Sequence, residues 1–204
     1  MSMKGYGEDK SMTIFFTSDT HFGQERTFKY SMRGMYFSSL EEADETMVQQ
    51  WNEVVSTEDV VYHLGDFGDF EVAKRLNGTI HLLYGNYERD GIGGEMTKKQ
   101  REYFTLLFGE HSERGTTVTL YDEKLVLAHE PSHLSYAVEN PEYYFGLFGH
   151  IHEKQKVKRN ALNVGVDVHN FTPVSLETVN FYRKAIREIY NAECFDNFEI
   201  GGLL

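Results

Sequence analysis

Apolar and polar positions along this chain follow two periods in turn. Met12 to Thr17 (Met-Thr-Ile-Phe-Phe-Thr) is a short β-prone run that stops at Ser18, Asp19 and Thr20, as a buried strand feeding a polar loop would. Ser39 and Glu42 form a capping-box pattern. Leu40, Ala43, Met47, Trp51, Val54 and Val55 then recur at helical spacing and predict an amphipathic helix. Asp59 to Leu64 reads as a second strand, ending in Gly65-Asp66. Phe70 to Leu76 reads as helical, Asn77-Gly78 as a turn, and Ile80 to Tyr84 as a third strand running into Gly85-Asn86. Glu95 to Phe108 reads as a helix with Met96, Tyr103, Phe104 and Leu107 on one face, closed by Gly109. Thr116 to Tyr121 and Lys124 to Ala128 read as a hairpin whose second strand delivers His129. Tyr143 to Phe148 delivers Gly149-His150-Ile151-His152, Ala161 to Val168 supplies another strand, and Ser175 to about Tyr190 a terminal helix.

Strand and helix alternate in the first half, whereas the second half is mostly strands. This order predicts an α/β fold of two packed sheets flanked by helices. Apolar strands repeatedly deliver a polar group at their carboxyl ends, where open α/β sheets build their sites. No repeat or proline-rich linker interrupts the chain, and Pro131, Pro141 and Pro173 fall at turns or element boundaries. The expectation is one domain over residues 12–204, preceded by a flexible polar segment, residues 1–11.

Composition agrees with one core: 204 residues, 40% hydrophobic and 14% aromatic, suit a single domain. A formal net charge of -12 disfavours extensive nucleic-acid binding or a footprint on an anionic membrane, both of which need clustered Lys and Arg. Small phosphate-bearing molecules remain open as partners. Cys194 is the only cysteine, so no intrachain disulfide forms and a reducing compartment is expected. The first residues lack the apolar core of a signal peptide, and no run is long enough to span a bilayer. A soluble, cytoplasmic protein is the resulting expectation.

Individually, Asp-x-His and Gly-Asp are common loop phrases, and a lone histidine is usually structural. The ordered set is more specific: Asp19-Thr20-His21, Gly65-Asp66, Gly85-Asn86, His129 and Gly149-His150-Ile151-His152. It resembles the calcineurin-like metallophosphoesterase superfamily along nearly the whole chain. Phe16-Thr17-Ser18-Asp19-Thr20-His21-Phe22-Gly23 and His63-Leu64-Gly65-Asp66-Phe67 look like a small single-domain branch of it. The resemblance implies a four-layer sandwich and metal-dependent hydrolysis of a phosphodiester or an activated phosphomonoester. It also implies two divalent ions, one held by Asp19, His21, Asp66 and His152, the other by Asp66, Asn86, His129 and His150, with Asp66 bridging. Asn86, Tyr87 and His129 are the residues it places nearest the chemistry.

Physical chemistry supports the same assignment. Two divalent ions ~3.5 to 4 Å apart repel strongly, so an anionic ligand must lie between them, and a carboxylate offers one oxygen to each. Alternation along an extended segment would put His150 and His152 on one side. Mixed carboxylate, amide and imidazole donors suit Mn, Fe or Zn. Such a pair lowers the pKa of a bridging water toward ~7 and yields a hydroxide nucleophile without a protein nucleophile. The family's pattern is broken at Tyr87-Glu88, where a histidine that assists the leaving group is commonly followed by an acid. A phenol titrates near ~10 against ~6.5 for imidazole, so substrates with good leaving groups are expected. Gln24 also stands where this branch carries a histidine.

His63, His81, His111, His133 and His169 are read as structural or solvated. Lys154, Lys156, Lys158 and Arg159 read as a solvated hairpin tip, and Gly91, Gly93 and Gly94 as an ordinary loop. A competing reading is a catalytically impaired scaffold or interaction module of the same fold. A scaffold is expected to lose ligands, whereas all seven are present. A structural zinc site would favour a cysteine-rich tetrahedron, which this sequence lacks.

Overall fold

The computed structural model describes residues 12–92, 94–107, 116–120 and 123–189. The N-terminal segment expected to be flexible, His111 and Cys194 therefore lie outside the described residues. In chain order the elements are β1 (Ile14–Thr17), α1 (Glu25–Tyr30), α2 (Leu40–Val54), β2 (Val60–His63), β3 (Thr79–Leu82), α3 (Asn86–Arg89), α4 (Lys98–Arg101), β4 (Phe104–Leu106), β5 (Thr116–Leu120), β6 (Glu123–Leu127), α5 (Ser135–Glu139), β7 (Tyr144–Phe148), β8 (Val157–Lys158), β9 (Ala161–Asn163), β10 (Val174–Ser175) and α6 (Leu176–Glu188). Short 3-10 turns sit between several of them, including Met32–Met35, Phe70–Arg75 and Val166–Val168.

Among the described residues two five-stranded sheets form, in the orders β10-β1-β2-β3-β4 and β5-β6-β7-β9-β8. In the first, β1 to β4 are parallel and β10 is antiparallel at the edge. In the second, β6, β7 and β9 are parallel, with β5 and β8 antiparallel at the edges. Alternation within each strand assigns side chains to layers. Ile14, Phe16, Tyr62 and Leu64 of the first sheet and its loops meet Leu125, Leu127, Phe145, Leu147 and Leu162 of the second, forming the buried core between the sheets. On the outer side of the first sheet, Phe15, Val61, Ile80 and Leu82 pack against Met47, Val48 and Trp51 of α2. On the outer side of the second, Val126, Phe148 and Ala161 pack against Leu134 and Ala137 around α5. The result is two mixed sheets flanked by helices. Each fully buried large apolar side chain contributes ~1.5–3 kcal/mol by leaving water.

Local signals act as their chemistry requires. Ser39 Oγ accepts from Glu42 N at 3.2 Å and Glu42 Oε2 accepts from Ser38 N at 2.6 Å, which fixes the start of α2. Three expectations need correction. Glu95 to Phe108 is not one helix: a Thr97–Gln100 capping box starts only the single turn of α4, and Phe104–Leu106 becomes β4. The cause is tertiary, because this aromatic segment pairs in parallel with β3, Ile80 opposite Phe104, and Phe104 enters the core. Ala161 to Val168 is not one strand either. β9 ends at Asn163, whose Oδ1 accepts from Gly165 N at 2.8 Å, and the chain then turns. His150 and His152 do not lie on an extended segment: both have positive φ, 69° and 49°, and Ile151 N donates back to Gly149 O at 2.8 Å. A tight turn, not a pleat, sets their directions.

Candidate metal centre

Parallel strands β1, β2 and β3 end together, and their loops are laced by backbone bonds. Asp19 N donates to Gly65 O at 3.0 Å, His21 N to Asp66 O at 3.0 Å and Phe22 N to Phe67 O at 2.9 Å. The second sheet closes over them, with Ser18 bridging to Gly165 and Val166 N donating to Ser18 O at 3.1 Å. Asp19 comes from the end of β1, Asp66 from β2, Asn86 from β3, His129 from β6 and the His150–His152 turn from β7. The seven sequence-predicted ligands thus converge where the carboxyl ends of both sheets meet.

Asp19, His21, Asp66, His150 and His152 all hold left-handed backbone, with φ between 48° and 69°. That conformation costs a non-glycine residue ~1–3 kcal/mol and persists only where the surroundings over-determine it. Clustering in one site is the pattern of strain kept for function. Two glycines permit the crowding. A Cβ on Gly85 would stand 2.1 Å from Asp66 Oδ1, and one on Gly149 would stand 2.3 Å from Asp19 Oδ2.

The donor atoms form two overlapping groups. Asp19, His21 and His152 bring ligand atoms within 4.8 Å of one another, as do Asp19, Asp66 and His129. Asp66 Oδ2 lies between them, 3.4 Å from His21 Nε2 and 3.3 Å from His129 Nε2. Asn86 Oδ1 stands 3.0 Å from His129 Nε2 and 3.0 Å from His150 Nδ1. His150 N donates to both oxygens of Asp19 at 2.9 Å, tying the second sheet to the first carboxylate.

Hydrogen bonds assign the tautomers. His21 Nδ1 donates to Gln24 Oε1 at 2.6 Å, leaving Nε2 buried without a hydrogen-bond partner. His129 Nδ1 donates to Leu64 O at 2.9 Å, so its Nε2 lone pair faces the oxygens of Asn86 and Asp66. His152 Nδ1 donates to Asp167 Oδ2 at 2.7 Å, freeing its Nε2. Lone pairs converging in this way are what a bound cation would satisfy. In the protein alone the substitute is a proton. Burial opposes charge on His129, yet its bond to Asp66 raises its pKa to about 9. Burial also opposes charge on Asp66, which the hydrogen-bonded His129 and neighbouring His21 bring down to about 2. His21 is lowered to about 4 by burial, which outweighs Asp66 and Asp19. Oxygen and imidazole donors in this arrangement fit divalent ions.

Several supporting residues had no reading as such in the sequence. Arg33, only 2% exposed, donates Nε to Asp167 Oδ1 at 2.8 Å, Nη2 to Asp167 Oδ2 at 3.1 Å, Nη1 to Thr20 O at 2.7 Å and Nη2 again to the Asp19 carbonyl. It joins the strained Asp19 loop to the carboxylate that orients His152, a ligand-supporting arrangement common at metal sites. Glu88 accepts from Asp66 N and Gly85 N at 2.8 Å and from Phe67 N at 2.7 Å, clamping the Asp66 and Asn86 loops together. Burial and nearby Asp66 push its carboxyl pKa up despite those donors. Gln24, unexpected in the pattern, orients His21. His63, read as structural, is fully buried and bonds Thr20 Oγ1 at 2.9 Å and Gly65 N at 3.2 Å. Tyr87 meets the His21 ring edge-on at a centroid distance of 4.6 Å, and its backbone N–H donates to Asp66 Oδ1 at 2.9 Å.

A sheet-on-sheet α/β scaffold with imidazole, carboxylate and amide donors converging at its strand ends defines a metal-dependent hydrolase. Residues 12–173 match the model of the calcineurin-like phosphoesterase superfamily domain, and the chain belongs to that family. A Methanocaldococcus jannaschii protein, "Uncharacterized protein MJ1445", is 30% identical over 176 residues, 81% of this chain and 88% of that protein. A solved Aquifex aeolicus structure, AQ665, described as a protein of unknown function, aligns with 84% of this chain and 99% of its own at 20% identity and a TM-score of 0.64, which is a likeness of fold. Among the described residues no helix is long and apolar enough to cross a membrane.

Proposed function

We propose that this enzyme hydrolyses a phosphodiester or an activated phosphomonoester of a small molecule with two divalent ions, Mn, Fe or Zn. Asp19, His21, Asp66 and His152 hold one ion, and Asp66, Asn86, His129 and His150 the other. The observation that carries this reading is the buried, partnerless Nε2 of His21 facing Asp66 Oδ2 at 3.4 Å, with His129 Nε2 at 3.3 Å from the same oxygen. When bound, such ions supply Lewis acidity toward the phosphoryl oxygens and activate a water for in-line attack.

The chain's own residues position and hold. Gln24, the Leu64 carbonyl and Asp167 keep an imidazole lone pair of His21, His129 and His152 directed inward. Asn86 presents its amide oxygen between two imidazoles and takes no proton itself. Tyr87 packs edge-on against the His21 ring and lines the opening beside His152, where its phenol would face a leaving group. The test is a panel of bis-p-nitrophenyl phosphate, p-nitrophenyl phosphate and cyclic nucleotides with added Mn, Fe or Zn. Metal-dependent release from at least one is expected, abolished by chelation. Absence of turnover with every metal would favour the scaffold reading.

A further inference from the structure

Among the described residues, openings of unlike charge flank the candidate centre. The wider, about 750 Å³, runs past Asn86 and is lined by Glu88, Asp90 and Glu130, with Arg89 as its cation, bound to Glu130. The narrower, about 170 Å³, opens beside His152 and Tyr87 and is lined also by Arg26, Tyr30, Glu153 and Lys154. Here two cations stand against one acid, in a chain whose formal charge is -12. Neither the Arg26 nor the Lys154 side chain forms an ion pair or hydrogen bond among the described residues. Tyr30, 85% exposed, forms an outer wall. Drug-sized ligands fill pockets of ~300–1,000 Å³, so the narrow opening suits one phosphate-sized group.

We infer that the narrow pocket takes a second phosphate carried by the leaving group, so that the substrate class is a phosphoanhydride diester. This rests on the reading of the site as a phosphoesterase centre. A water oxygen bonds to one phosphorus, and the bond from that phosphorus to the bridging oxygen breaks. The electron pair stays on the departing phosphate, and the proton released from water goes to solvent. An alkoxide leaving group needs a proton from an acid, whereas a phosphate departs as an anion and needs neutralising charge. Tyr87 brings a phenol where an imidazole would donate, and Arg26 and Lys154 bring charge beside it. Arg supplies a planar fork for phosphate oxygens and Lys a point charge.

The test compares Mn-loaded wild type with the Arg26→Ala/Lys154→Ala double variant on ADP-ribose, whose leaving group is a phosphate, and on bis-p-nitrophenyl phosphate, whose leaving group is not. Binding of α,β-methylene-ADP is measured by calorimetry at equal metal content. Loss of kcat/KM on ADP-ribose should exceed loss on bis-p-nitrophenyl phosphate by at least ~10-fold, and the analogue should bind ~10-fold more weakly, the size expected of charge-assisted hydrogen bonds. Equal losses on both substrates, unchanged analogue binding, or a wild type that cleaves only bis-p-nitrophenyl phosphate would overturn the substrate assignment while leaving the phosphoesterase reading intact. A wild type that cleaves neither substrate overturns the substrate assignment, and one that also leaves p-nitrophenyl phosphate and cyclic nucleotides intact overturns both.

Discussion

Arg33→Ala tests whether the Asp19 loop is held from behind by a buried ion pair. Arg33 is 2% exposed and gives two bonds to Asp167 and two to backbone carbonyls of the Asp19–Thr20 loop. Alanine leaves the Asp167 carboxylate buried, with the His152 Nδ1–H as its remaining hydrogen-bond donor. Removing one member of a buried pair costs ~3–5 kcal/mol, and the orphaned carbonyls add to that unless water reaches them. Against a total stability of ~5–15 kcal/mol, the loss is a large fraction. The assay is urea unfolding in EDTA, so that metal binding does not contribute, followed through Trp51, the chain's only tryptophan and 1% exposed. An apolar pair, Arg33→Met/Asp167→Leu, should recover ~1–2 kcal/mol relative to Arg33→Ala, because no charge is then stranded. A cost below ~1 kcal/mol for Arg33→Ala, or a double variant as unstable as the sum of its singles, would refute this account of the loop.

Tyr87→His should speed substrates with basic leaving groups selectively, by up to the ~10²- to 10⁴-fold that general acid catalysis supplies; equal slopes of rate against leaving-group pKa for the two proteins would show that residue 87 has no such role. His169 is lowered to about 4 by burial, despite the Asn163 carbonyl that its Nε2–H binds at 2.7 Å. The folded state therefore binds fewer protons than the unfolded one, and this contribution is complete above ~6.5 and lost as pH falls toward ~4. Partial exposure reduces the ~3 kcal/mol implied to ~1–2 kcal/mol. Apo His169→Gln should accordingly lose less stability than wild type between pH 7 and 4.5 by urea titration, and an identical pH dependence would contradict the assignment. No phosphorylated Ser, His or Asp should accumulate during turnover, because the proposed reaction uses no protein nucleophile; acid-quenched mass spectrometry showing one would overturn that.

Strand ends were legible because each combines an apolar run with an abrupt polar stop, as at Thr17-Ser18-Asp19 and Leu64-Gly65-Asp66. Helical spacing of Leu40, Ala43, Met47 and Trp51 likewise placed α2. Long-range pairing was not legible: Tyr103, Phe104 and Leu107 fit a helical face, and only the edge of β3 draws Phe104–Leu106 into a strand. Asp167 carries a usable signal, an acid two residues after Gly165 at a strand end, like the glycine-acid step at Asp66. Reading Ala161 to Val168 as one continuous strand concealed it. Arg33 lies in a Met-Arg-Gly segment without periodicity, and its importance comes from partners 13 to 134 residues away. The left-handed backbone of Asp19, His21, Asp66, His150 and His152 leaves no trace in composition, because the surroundings impose it.

The central claim is a pair of ions sharing Asp66. It is tested most directly by metal analysis of protein loaded with excess Mn or Zn and freed of unbound metal by gel filtration. Two ions per wild-type chain are predicted, with Asp66→Ala losing both while its fold persists by circular dichroism. A wild-type stoichiometry of one, or an Asp66→Ala variant that still holds two ions, would contradict the account.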